Sequence, residues 1–89
     1  MRLISQNGIY DVPYEQGVIK QFDTYICFLS TSLTENLKLA VYSTREKASK
    51  AMEMLHEEYK QYSYATNNND FYLFFNQPKM FKFPQDNEV

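Results

Sequence analysis

Apolar positions along the chain recur every second residue in short runs up to about residue 42, then every third or fourth residue through the middle. Leu3 and Ile4 precede an Asn7-Gly8 pair, and Ile9, Tyr10 and Val12 follow it. Two β-compatible runs around Asn-Gly predict a hairpin on a two-residue type I′ turn, whose positive φ angles these two residues tolerate best. Pro13 has no N–H for a ladder and should end the second strand or lie at an edge. VIKQ (residues 18–21) and YICFL (residues 25–29) predict a second hairpin that turns near Phe22-Asp23-Thr24. After a polar loop at residues 30–36, Leu37, Leu39 and Val41 alternate with Lys38, Ala40 and Tyr42. Period two predicts a strand that buries the first set and exposes the second.

The period then changes. Ala48, Ala51, Met52, Leu55, Tyr59 and Tyr62 fall on one stripe of an α-helix. Ser43 and Glu46 have the S-x-x-E spacing of a capping box, which predicts a helix over residues 44–62. Glu46 and Lys50, four apart, fit a weak surface pair of about 0.2–0.5 kcal/mol. Asn67-Asn68-Asn69 predicts a turn, and FYLFF (residues 71–75) a strand apolar on both faces. Gln77-Pro78 suggests a second turn and residues 80–83 a returning strand, giving a C-terminal hairpin over residues 70–83 and a polar tail at 84–89. The expectation is one α+β domain over residues 1–89. It is a small antiparallel sheet built from hairpins and packed against one long amphipathic helix.

One helix covers one face of a sheet, while Tyr72 and Phe74 point away from Phe71, Leu73 and Phe75. Either the N-terminal hairpin or another copy of the chain must cover Tyr72 and Phe74, so a homodimer is one expected assembly. Aromatic residues make up 17% of the chain, which gives a small core large buried rings. Nine basic against 11 acidic residues leave a net charge of −2, which disfavours duplex nucleic acid as a partner. The single cysteine suits a reducing cytoplasm, and no apolar run is long enough for a signal or a membrane span. The expected setting is therefore soluble and cytoplasmic.

Candidate chemistry is sparse. His56, three residues after Glu53, could serve as a general base, but no nucleophile accompanies it and a solvated helix histidine fits better. Cys27 lies mid-strand with no cation within three positions, which suits a buried core residue rather than a reactive thiol. One His and one Cys make no His/Cys metal site, and no phosphate-loop or dinucleotide glycine pattern occurs. No enzyme activity, metal or cofactor is expected. Basic residues crowd the helix start, against the macrodipole, so Thr44, Arg45 and Lys47 are candidates for holding a small anion or nucleotide. An RNA-stacking use of FYLFF is disfavoured because the run lacks the basic and glycine positions of that motif.

Three blocks, MRLISQNGIYDVPYE, YSTREKASKAMEMLHEEY and FKFPQDNEV, together resemble a group of small proteins of phages, prophages and other mobile elements of low-GC Gram-positive bacteria. The chain is shorter between Tyr62 and Phe71 than that group. The resemblance brings no catalytic or binding residues. It implies a setting, that of an accessory protein inside a bacterial cell. With that setting, the leading expectation is a non-enzymatic module that binds a host protein, for host takeover or counter-defence. Tyr10, Tyr14 and Tyr64 lie outside the helix stripe and are its candidate anchors. The alternatives are an anion or nucleotide binder at the helix start and a structural homo-oligomer.

Overall fold

The computed structural model describes residues 1–32, 35–67 and 79–89. Its elements run β1 (Arg2–Ile4), β2 (Asp11–Pro13), a 3-10 turn (Tyr14–Gln16), β3 (Val18–Phe22), β4 (Tyr25–Leu29), β5 (Leu37–Val41), α1 (Arg45–Asn67), β6 (Met80–Lys82) and a 3-10 turn (Asp86–Glu88). The α+β class is as expected, with the strands divided between two three-stranded sheets, β2-β1-β6 and β3-β4-β5. The first sheet is mixed, because β6 pairs with β1 in parallel, Leu3 opposite Phe81. This one pairing departs from the expected antiparallel arrangement, which β1-β2, β3-β4 and β4-β5 keep. Residues 80–82 lie on the N-terminal hairpin, and the predicted strand at 71–75 lies outside the described residues.

The first hairpin forms around a wider turn than Asn7-Gly8 predicted. Ile4 pairs with Asp11, so six residues lie between the strands. Gly8 takes φ +78, but Asn7 does not join it at positive φ, so the turn is not type I′. Ser5, fully buried, closes the loop instead. Its N–H donates to Tyr10 O and its hydroxyl accepts from Tyr10 N–H, both at 2.9 Å, while Gly8 N–H returns to Ser5 O. The Ser5 hydroxyl also donates to Asn7 Oδ1 at 2.6 Å. Ser and Asn compete well for backbone partners, and here they replace the tight turn. The second hairpin does turn tightly, with Phe22 opposite Tyr25 and Asp23 at φ 55. Asp is among the few residues that tolerate this conformation.

β5 departs from the predicted phase. A register shift opposite Ile26/Cys27 pairs Ala40 with Ile26 and Lys38 with Cys27, leaving Leu39 extra. Such a bulge reverses which side chains point inward beyond it. Leu39 and Ala40 are both buried, Tyr42 is buried, and Val41 is 48% exposed. Tyr42, expected outside, therefore enters the core, and Val41 leaves it.

The helix starts one residue later than the capping box implied. The Thr44 hydroxyl accepts from Lys47 N–H at 3.2 Å, which makes Thr44 the cap. Ser43 cannot serve, since its N–H and hydroxyl both bind Asp86. The helix continues to Asn67, as no Gly or Pro lies between residues 62 and 67 to stop it. Ala48, Ala51 and Leu55 are fully buried, and Met52, Tyr59 and Tyr62 pack at the margin as their spacing predicted. Lys50 reaches Glu53 at 3.8 Å rather than pairing with Glu46.

One cluster joins both sheets and the helix through Leu3, Ile26, Phe28, Leu39, Leu55 and Phe83. Tyr14 stacks on Tyr59 at 4.0 Å, Lys79 pairs with Glu58, and Gln21 Nε2 donates to Ser49 Oγ, so each sheet is tied to α1. The polar tail at 84–89 is docked. Gln85 N–H donates to Glu88 Oε1 at 2.7 Å, and Val89 packs against the core.

Gly17 precedes β3 where a side chain has no room. A Cβ there would stand 2.6 Å from Leu29 O and closer still to the Phe28 ring. Gly17→Ala should cost about 1–3 kcal/mol as overpacking, read as a fall in Tm of roughly 4–8 °C per kcal/mol. An unchanged Tm would mean that β3 and β4 can part without loss.

Candidate functional site

Two places bring together residues of unlike chemistry, the start of α1 and the outer face of β3-β4-β5. At the helix start, the chain supplies its own anion. Ser43 N–H donates to Asp86 Oδ1 at 2.7 Å and its hydroxyl to Oδ2 at 3.1 Å. Lys47 Nζ reaches Oδ2 at 3.2 Å and Asp86 O at 3.0 Å. A carboxylate before the first turn of a helix satisfies free donors and complements the macrodipole. The Ser43 N–H and the Lys47 ammonium hold the Asp86 carboxyl below its usual range. Of the expected anion ligands, Thr44 is committed to capping and Lys47 to Asp86, while the exposed Arg45 side chain makes no ion pair among the described residues.

Next to this contact, the Tyr42 hydroxyl donates to Pro84 O at 2.8 Å. Burial, with Asp86 and Glu88 nearby, pushes the Tyr42 phenol up to about 12. Gln6 Nε2 donates to the same Pro84 carbonyl at 3.1 Å. The opening hairpin, β5 and the C-terminal turn thus meet at one carbonyl.

The second place is built by the tight turn of the β3-β4 hairpin. Counting back from Phe22 opposite Tyr25 puts Lys20 opposite Cys27 and Val18 opposite Leu29 on the face away from α1. Across β4, Lys38 lies opposite Cys27 and Val41 opposite Tyr25. The Phe22 and Tyr25 rings lie side by side, with centroids 5.7 Å apart and planes 21° apart. Lys20 Nζ rests 4.9 Å from the Phe22 centroid and Lys38 Nζ 4.6 Å from that of Tyr25. Such exposed contacts hold a lysine by only about 0.5–1 kcal/mol. Val18 is 61% exposed, and none of the residues on this face is acidic.

The face adjoins one of the expected anchors. Tyr10, on the first hairpin loop, lines a shallow groove with Gln6, Lys38 and Val41 along the outer edge of β5. Tyr14 is instead taken up by its stack on Tyr59, and burial raises its phenol pKa. The Tyr64 side chain, Tyr72 and Phe74 lie outside the described residues. His56 is exposed on α1. Cys27 is buried between the two lysine rows, and burial raises its thiol pKa although the Lys38 charge pulls the other way. A raised pKa keeps it a thiol at neutral pH.

The lysine-and-aromatic face was not foreseen, yet the spacing carried it. Once Asp23-Thr24 is taken as the turn, residues 18, 20 and 22 must share a face with 29, 27 and 25. Asp86 left no such signal, because its partners come from a distant part of the chain. No protein-family model matches the sequence, and neither curated proteins nor solved structures give a match.

Two titrations bracket the docked C-terminal turn. Folding lowers the Asp86 pKa, so that contact is complete above the ordinary carboxylate range near 4 and is lost as pH falls through the lower folded value. Folding raises the Tyr42 pKa, so its contribution is complete below about 10 and is lost as pH rises through about 12. Asp86→Asn should lower the plateau Tm and flatten its acid limb in a pH series of thermal melts. An acid limb as steep as that of the unsubstituted protein would assign the loss to other carboxylates.

Proposed function

We propose that this chain is a non-enzymatic protein-binding module that uses the outer face of β3-β4-β5. In the setting implied by the sequence resemblance, it is a phage or mobile-element accessory protein acting on a host factor in the bacterial cytoplasm. The observation behind this reading is the composition of that face. Two adjacent aromatic rings, two exposed valines and two lysines without carboxylate partners among the described residues share one surface. Rigid aromatic side chains such as Tyr are enriched among the anchors of protein interfaces. Among the described residues no helix is long and apolar enough to cross a membrane, and no group of His, Cys, Asp and Glu could hold a metal ion. The small-anion alternative has less support, because Asp86 already lies at the helix start.

The test is tagged capture from lysate of a low-GC Gram-positive bacterium, quantified by mass spectrometry, with the unsubstituted chain and with Val18→Asp/Val41→Asp. Both valines are exposed, so the variant should fold. One host protein should be recovered near stoichiometrically and fall at least tenfold with the variant. Equal recovery with the variant would move the function off this face, and an empty capture by the unsubstituted chain would remove the reading.

A further inference from the structure

Resting on that reading, we propose that the outer face of β3-β4-β5 docks an acidic segment of the partner protein. Its carboxylates meet Lys20 and Lys38, and its apolar groups lie over Phe22 and Tyr25. The argument is one of charge complementarity. Arg2, Lys47, Lys50 and Lys79 each have a carboxylate partner within the fold. Lys20 and Lys38 have none among the described residues, and each rests on a ring instead. Arg45, Lys60 and Lys82 are also without ion pairs among the described residues, but they stand on α1 and β6 with no ring beneath them. Among the described residues, this face alone has two free cations flanking an apolar floor.

The spacing is set by the sheet. Lys20 and Lys38 both lie opposite Cys27 from either side, so their Cα atoms are roughly 9–10 Å apart, two strand spacings. Two carboxylates at about that separation could engage both ammoniums at once. Between them lies the buried Cys27, which adds no charge. A second copy of this chain is a poor occupant. Two-fold pairing of the face on itself would set Lys20 and Lys38 against their own images with no acid between them. Single-stranded nucleic acid could use the rings, but two cations make a short track for a phosphate backbone, and the chain carries net charge −2.

The first measurement is amide NMR of the full chain titrated with a poly-L-glutamate peptide of about fifteen residues, with oligothymidylate of similar charge in parallel. Glutamate peptide should shift amides of β3, β4 and β5, centred on Lys20 and Lys38. Binding should weaken at least tenfold in Lys20→Glu/Lys38→Glu and should also weaken in Lys20→Gln/Lys38→Gln, which removes charge without reversing it. No shift at millimolar peptide, or shifts centred on the start of α1, would overturn the proposal. So would tighter binding of oligothymidylate on the same face, or a concentration-dependent dimer that buries it. The lysate capture keeps the two readings apart. A partner held equally by Lys20→Glu/Lys38→Glu but lost with Val18→Asp/Val41→Asp would end the acidic-partner proposal and leave the binding module standing.

Discussion

Gln6 uses every hydrogen-bonding group it owns to hold together parts of the chain that share no ladder. Its N–H donates to Leu39 O and its carbonyl accepts from Gln85 Nε2, both at 2.7 Å. Its side-chain oxygen accepts from Val41 N–H at 3.0 Å, while its side-chain nitrogen donates to Pro84 O at 3.1 Å. A primary amide offers donor and acceptor together, and no charged or apolar side chain of this length does. The two sheets have no strand in common, so this residue joins the outer edge of β5 to the first hairpin. It also fixes Pro84, and with it the turn that brings Asp86 to Ser43 and Lys47.

Because β5 is closed from its outer edge by Gln6, the open side of the second sheet is its face rather than that edge. An exposed strand edge invites indiscriminate pairing, and a glutamine laid along it is one way to prevent that. The face that remains carries positive charge on a chain that is slightly acidic overall. The helix start, in contrast, receives an acid from the same chain. Asp86 of the C-terminal turn pairs with Lys47, so part of the basic crowding that opposed the macrodipole is offset by a residue outside the helix. Arg45 keeps no ion pair among the described residues.

What the sequence made legible follows the range of each interaction. The α1 stripe, the Pro13 stop and the β3-β4 hairpin rest on contacts within a few residues, and each was readable. The six-residue first loop was not, because Asn7-Gly8 competes with the Ser5 hydroxyl, whose role depends on its burial. The bulge at Leu39 depends on what β4 offers opposite it, and so the inward phase of Ala40 and Tyr42 was missed. The docked tail was missed for the same reason. QDNE looks solvated until Ser43, Lys47 and Gln6 are brought beside it. For the candidate site, the lysine and aromatic positions were implicit in the hairpin register, whereas their lack of carboxylate partners emerged only from the fold.

The parallel pairing of β1 with β6 also carries the largest loop-closure cost of the strand pairings among the described residues. β3 and β4 meet across two turn residues, and α1 is local throughout, so these parts form at small entropic cost. Arg2 and Met80, by contrast, must find each other across nearly the whole chain. Until they do, Leu3 lacks its neighbour Phe81, and the core cluster lacks Phe81 and Phe83. The core is therefore completed by the strand pairing that costs the most loop-closure entropy among the described residues.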